Sequence, residues 1–180
     1  IWSTGAFAQT STILQWADQL GGTADERGRA VAVDDSGNVY ITGYFSGTAD
    51  FDPDTNIYNL TSAGDKDIFV SKLNTAGKLV WVKQFGGAGT DRGNSIFIDV
   101  SGNIYTTGYF NGIADFDSDT GIYNLTSAGN DDIFILKLNR TGNFVWAKRL
   151  GGAGTDRGIS ISVDASGNVY TTGGFQKIID

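Results

Sequence analysis

The sequence predicts an all-β protein, and within that class a β-propeller assembled from four-stranded antiparallel blades, on three observations. It repeats every 65 residues: Trp16, Trp81 and Trp146 open successive copies, and 38 of the 65 positions are identical between the first two, without insertion or deletion. Its 180 residues hold 26 glycines and one proline, with β-branched and aromatic residues through the periodic segments, which is the composition of short strands joined by tight turns. Each copy contains two hairpin patterns, hence four strands, and its first strand carries apolar residues toward both faces. Such sheets stack radially on like neighbours.

In chain order, residues 1–12 contain Ala6-Phe7-Ala8 before Gln9, the small-x-small form of a signal-peptidase site, and are compatible with the end of a signal peptide. Residues 13–180 read as blades. Residues 13–20 read as an isolated fourth strand, of the kind that completes a closing blade from the opposite terminus. Residues 29–45 read as two strands around a turn opened by Asp34, with Gly37 supplying a left-handed position; Gly102 and Gly167 repeat it. Val31 and Val33, matched by Ile96 and Ile98 and by Ile161 and Val163, put β-branched side chains at alternate positions. Residues 67–85 form the second hairpin, with Asn74 and Gly77 at its turn and Asn139 and Gly142 in the next copy.

Between the hairpins lies a polar, aspartate-rich segment, residues 46–66, the expected place for variation among copies. Its one apolar patch, Ile57-Tyr58, is expected to form an extra strand or to pack over a blade edge. The third copy stays in register to Asp180, which aligns with Asp50 and Asp115. The expectation is a fragment of roughly two complete blades and two part-blades, continued by further blades of the same chain.

Composition narrows the function. A formal net charge of −7 and a pI near 4.4 oppose nucleic acid or an anionic membrane as partner, since both need a basic footprint. No run approaches the roughly 18 apolar residues that span a bilayer, so the chain does not read as membrane-embedded. Cysteine and histidine are both absent, which removes thiolate zinc sites, cysteine nucleophiles, Ser-His triads and histidine-ligated metals from these residues.

The stretches GGAGTDRGNSIFIDVSGNIYTTGYF, residues 86–110, and DDIFILKLNRTGNFVWAKRLGG, residues 131–152, resemble the SBBP repeat, named for a seven-bladed β-propeller. The resemblance covers essentially everything from Trp16 onward. It implies a propeller in an exported or surface protein, mostly bacterial, often joined to other extracellular modules, and a family without an agreed catalytic motif.

Several groups are candidates for chemistry. Asp50, Asp52 and Asp54 with Asn56, and again Asp115, Asp117 and Asp119, place carboxylates at alternate loop positions, where they can converge on calcium. Thr55 or Thr120 stands where an EF-hand has glycine, and Thr61 or Thr126 where it has glutamate. The competing reading is a set of Asx-turns and solvated charge. Asp91-Arg92, Asp156-Arg157 and Glu26-Arg27 form either a charged ring at a channel mouth or framework pairs between blades. Gly86-Gly87-Ala88-Gly89 lacks the lysine and helix of a phosphate loop. The three repeating tryptophans read as packing between blades rather than sugar platforms. Tyr44-Phe45 and Tyr109-Phe110, nearer a loop, are the more plausible contacts, a pattern broken at Gly174-Phe175. Asn59-Leu60-Thr61 and Asn124-Leu125-Thr126 match the glycosylation triplet, which carries little weight in a bacterial protein.

Carboxylate pairs are the only acid-base machinery left. They recur in every copy, whereas the non-repeating charges Asp18, Asp25, Lys66, Arg140 and Arg149 form no recognisable set. The sequence therefore predicts a non-enzyme: a scaffold or binding propeller of a secreted or cell-surface bacterial protein, with a protein or glycan ligand at its rim loops and no cofactor other than calcium. The alternatives are the propeller portion of an extracellular hydrolase whose active site lies elsewhere, and a calcium-stabilised adhesion module.

Overall fold

The computed structural model describes residues 19–54, 56–119 and 121–176. The readings made at residues 1–12, at Trp16 and over most of residues 13–20 lie outside the described residues. The first copy supplies β1 (Gly21–Gly22), β2 (Arg27–Val33), β3 (Val39–Phe45), β4 (Thr48–Asp50), β5 (Asn59–Thr61) and β6 (Asp67–Leu73), and β7 (Leu79–Gly87) runs from it into the second. The second supplies β8 (Arg92–Ile98), β9 (Ile104–Asp115) and β10 (Asn124–Leu138), and β11 (Phe144–Leu150) runs into the third, which supplies β12 (Arg157–Val163) and β13 (Val169–Gly174). Every pairing between these strands is antiparallel, and no helix occurs among the described residues. The protein is all-β.

Strands β2-β3-β6-β7 form one complete blade, β8-β9-β10-β11 a second, and β12-β13 the first half of a third. The blades stack with β8 against β2 and β3, and β12 against β8 and β9. Four strands per blade agree with the sequence. The intervening segment adds a small sheet of its own, in the order β1-β4-β5. In the second copy the same pairing is made by Gly86 and Gly87, at the end of β7, with Asp115 and Ala114 of β9. The last strand of one blade thereby hydrogen-bonds into the next.

The hairpin turns follow their chemistry. Asp34 Oδ1 accepts the backbone N–H groups of Ser36 and Asn38 at 3.0 and 2.9 Å, while Oδ2 takes the Asn38 amide at 2.8 Å and the Tyr40 hydroxyl at 3.1 Å. Asp99 and Asp164 do the same with Asn103 and Tyr105, and with Asn168 and Tyr170. Gly37 sits at φ 81°, a left-handed position that any other residue reaches only at a cost. The aspartate carries charge for a structural purpose, holding three donors of its five-residue turn and the Tyr40 hydroxyl of β3.

Stacking sets the burial. Ile96 and Ile161 are 7% and 6% exposed, whereas the matching Val31, with no preceding blade among the described residues, is 65% exposed. The first strand of a blade is therefore hydrophobic for its neighbour's sake. Polar links reinforce the contact: Asn94 Nδ2 donates to Gly158 O at 2.8 Å, and the hydroxyls of Thr106 and Thr171 reach Thr42 and Thr107 of the preceding blade at 3.4 Å.

The segment of residues 46–66 corrects two expectations. Ile57-Tyr58 does not form a strand: Ile57 is 74% exposed, and the loop strand is β5, immediately after it; in the next copy Tyr123 packs its ring 4.9 Å from Phe144 of a blade strand. What fastens the loop is Phe51, which is buried with its ring 5.2 Å from Phe45 and 4.9 Å from Phe69. Phe116 repeats this against Phe110 and Phe134 at 5.5 and 5.1 Å. Nor does the loop vary most, for only Ser46, Thr48, Pro53, Asn56, Asp65 and Lys66 differ from their counterparts in the next copy. A loop anchored by a buried aromatic and a three-stranded sheet is constrained as a hairpin is. Phe116→Ala is expected to cost about 3–5 kcal/mol in urea denaturation, and Ile122→Ala less than about 0.5 kcal/mol.

Candidate interaction surface

The aspartate-rich loops close on themselves. Asp50 Oδ1 accepts the N–H groups of Asp52 and Tyr58 at 3.0 and 2.8 Å, and Asp52 Oδ1 accepts that of Asp54 at 3.0 Å. Asp115 and Asp117 repeat the pattern with Asp117, Tyr123 and Asp119. Lysines take the outer carboxylates: Lys78 Nζ lies 3.0 Å from Asp54, and Lys83 Nζ of the first blade lies 2.6 Å from Asp119 of the second. Among the described residues no three acidic side chains converge as a metal-ion site. Of the six candidate calcium ligands, Asp50, Asp52, Asp115 and Asp117 accept turn N–H groups, while Asp54 and Asp119 meet lysines.

The Asp-Arg pairs belong to the junctions between blades. Asp91 is fully buried and accepts the N–H groups of Gly87 and Asn111 at 2.8 and 3.0 Å. Asp156 takes those of Gly152 and Gln176. Arg92 places its guanidinium carbon 4.5 Å from the Tyr44 ring centre of the preceding blade and 5.8 Å from Tyr109 of its own. Arg157 lies 4.6 Å from Tyr109 and ion-pairs with Asp131 at 2.6 Å. Arginine and tyrosine alternate from blade to blade, each guanidinium seated on a ring face that attracts a cation. The exposed Arg27 pairs instead with Asp25, which also meets Lys66 at 3.5 Å.

One further expectation changes here, and the packing role of Trp81 and Trp146 holds. Tyr44, Phe45, Tyr109 and Phe110 are buried rather than contact residues, because the loop sheet and the arginines cover them. Trp81 meets Tyr40 edge-on at 6.2 Å, and a Cβ on Gly142 would stand 3.0 Å from its ring, so the indole is clamped between blades. Trp146 meets Tyr105 in the same way at 6.4 Å. Beside Trp81 a cleft of about 620 Å³ opens between the turns of the two blades, lined by Asp34, Lys72, Trp81, Asp99 and Arg140 among others. Sequence reasoning missed Asp67, which opens β6, and Asp132 within β10, both buried. Their identity in both copies was the available signal, and what hides their role is that each meets its partner only across a junction.

Outward-facing apolar side chains are what the framework leaves over. Ile57 and Tyr58 are 74% and 48% exposed, and Ile122 and Tyr123, one repeat later, 77% and 37%. They occupy the same place on successive loops, but Tyr123 rests on Phe144 with ring centres 4.9 Å apart, so the exposed contact common to both copies is the isoleucine. No helix among the described residues is long and apolar enough to cross a membrane.

Blades of this build, with charge consumed by turns and junctions, define a propeller repeat module of the binding or scaffold type. The chain belongs to the β-propeller repeat family SBBP, which matches residues 15–46, 80–117 and 145–173. Those segments carry the repeating tryptophan, the Gly-Gly step and the first hairpin; β4, β5, β6 and β10 fall between them. The chain is also similar to an uncharacterized WD repeat-containing protein of Acanthamoeba polyphaga mimivirus, 27% identical over 91% of this chain and 14% of that protein. It is 24% identical to the regulatory protein FlaEY of Caulobacter vibrioides over 88% of this chain and 16% of that protein. The chain spans less than a fifth of the length of either.

Thermal melts in millimolar calcium and in excess chelator are expected to coincide, since the loop carboxylates already hold N–H donors and lysines; a rise of several degrees in calcium would favour the cation reading. Arg92→Lys is expected to lower stability by about 1 kcal/mol through loss of the stacked guanidinium. Chemical denaturation checks it, with the exposed Arg27→Lys as the neutral control.

Proposed function

We propose that the chain is a non-catalytic binding module of a secreted or cell-surface bacterial protein, and that it holds a protein partner through the rim loops, one like contact per blade. The observation that carries this is the exposed Ile57 and its repeat Ile122, set on loops otherwise fixed by buried aromatics. Exposed apolar side chains held on a rigid frame lose little entropy on docking, and identical contacts on linked blades reinforce one another through effective concentration. The low share of the two relatives' length that the chain covers supports a module carried within larger proteins. The repeated carboxylates support a non-enzyme, because the well-placed ones are engaged by backbone donors, lysine or arginine.

Saturable adsorption of the labelled chain to cell-surface preparations of its source tests this. The expected binding is abolished by protease treatment of the surface and indifferent to glycosidase. The Ile57→Ser, Ile122→Ser double variant is expected to bind about tenfold or more weakly at an unchanged melting temperature. Glycosidase-sensitive binding, or a double variant equal to the parent, would overturn the protein reading.

A further inference from the structure

At each junction between blades two aspartates meet in the interior. Asp67, opening β6, and Asp91, just before β8, are 1% and 0% exposed. Asp67 Oδ1 lies 3.1 Å, and Asp91 Oδ2 2.8 Å, from the single point where a Cβ on Gly86 would stand. The next junction repeats this with Asp132 Oδ1 and Asp156 Oδ2, each 2.9 Å from the corresponding point on Gly151. The glycines, at φ 151° and 149°, are what admit the two carboxyl groups. The donors around them are unevenly spread. Asp91 Oδ2 accepts from Gly87 and Oδ1 from Asn111; Asp67 Oδ2 accepts from Ala63 and the Gln84 amide. Asp67 Oδ1 and Asp132 Oδ1 are buried without a hydrogen-bond partner. Both orphans belong to the same position of the repeat and lie beside the same glycine as the companion carboxyl.

An unpartnered carboxylate oxygen buried beside a second carboxylate is strongly disfavoured when both are ionised. One proton removes the like-charge repulsion and turns the orphan from an acceptor into a donor. We propose that the Asp67–Asp91 pair at the first junction shares one proton, and that this proton is a latch between blades, engaged in mild acid and released above neutrality.

The surrounding charges bear this out. Gln84 of β7 contributes a neutral amide. Lys66, beside Asp67 in the chain, directs its ammonium to Asp25 and Asp65; Arg92, beside Asp91, lies over Tyr44 and Tyr109. Asp131 of β10 adds a negative charge toward Asp91, moderated by its own pair with Arg157. Burial first, with the Asp67 and Asp131 charges behind it and against the Asn111 and Gly87 donors, pushes Asp91 up to about 7; burial pushes Asp67 up as well. The second junction has a different companion: where the first has Gln84, Arg149 places its guanidinium on Asp132. A fixed cation there replaces what the first junction lacks.

A carboxyl group whose pKa is raised on folding binds its proton more tightly in the folded chain, so stability falls as pH rises from the ordinary value of 3.8 through about 7. The turn aspartates Asp34, Asp99 and Asp164 have lowered pKa values, so their contribution is lost only at lower pH, as it falls through those values. No histidine titrates between.

Thermal denaturation of the full chain at pH 5, 6.5 and 8 and constant ionic strength is the test. The melting temperature is expected to fall by about 3 °C or more between pH 5 and pH 8. Asp67→Asn, whose amide supplies the missing donor at all pH values, is expected to flatten that slope. Gln84→Arg, which copies the second junction, is expected to flatten it independently should Asp67→Asn fold poorly. The parent should also show an infrared band of a protonated carboxyl at pH 6 that Asp67→Asn removes. A melting temperature level or rising from pH 5 to 8 would overturn the shared proton. So would an unchanged slope in a folded variant, or full recovery at pH 8 on adding magnesium or calcium, which would assign the pair to a cation.

Discussion

Each blade of this protein is finished by the blade beside it, and that constraint explains most of what the sequence repeats. The inner strand of a blade buries its β-branched face only against the preceding blade, as the contrast between Ile96 and Val31 shows. The last strand does not end at its own sheet but carries Gly86-Gly87 across to pair with Asp115 and Ala114. Arg92 and Arg157 then rest on tyrosines, Arg92 on one of the blade before as well as one of its own. Stability in such an array is a sum of unit terms and neighbour terms. Selection on the neighbour term is selection on matched positions in every copy, which is why arginine, tyrosine and glycine keep their register over 65 residues.

The acidic character has the same origin. In a chain with no histidine or cysteine, carboxylates are the available strong acceptors, and they are spent on backbone N–H groups that strand pairing leaves over. Asp34 organises a turn, Asp50 a loop and Asp91 a junction, each accepting two or more donors. A hydrogen bond to a charged acceptor is stronger than one between neutral groups, so a small sheet gains rigidity from few residues. The cost appears only at the junction, where burial brings two such acceptors face to face.

Strands, turns and blade stacking were legible because their signals are local and periodic. Asp34 with Gly37 and Asn38 names its turn, and alternating Val31 and Val33 name a buried face. The loop was misread for a physical reason. Ile57-Tyr58 is its most apolar dipeptide, yet Phe51, isolated among aspartates, is the buried anchor, because the first residues after β4 still lie over the sheet. The burial of Tyr44 and Phe45 depends on Arg92 and Phe51, which reach them from another blade and from the loop, and no window of sequence contains that contact. The candidate calcium ligands were found by spacing. The same alternate spacing also suits Asx-turns, in which Asp50, Asp52, Asp115 and Asp117 accept the N–H two residues on, and spacing alone does not separate the two.

Where the copies differ is as telling as where they agree. All five positions from Arg29 to Val33 differ from their counterparts Asn94 to Ile98, while the loop over residues 46–66 changes at six of its positions, mostly at its two ends. The inner strand is free to drift as long as its hydrophobic alternation survives, since each pair of blades settles its own contacts there, as Asn94 does with Gly158. A loop whose tip stays fixed, apart from Pro53 and Asn56, has a reason beyond folding, for Ile57 and Ile122 contribute little to the core and a polar side chain would sit there at no cost. On the proposed reading that constancy is the signature of a contact used once per blade. Affinity then comes from repetition of a weak site rather than from one elaborate pocket.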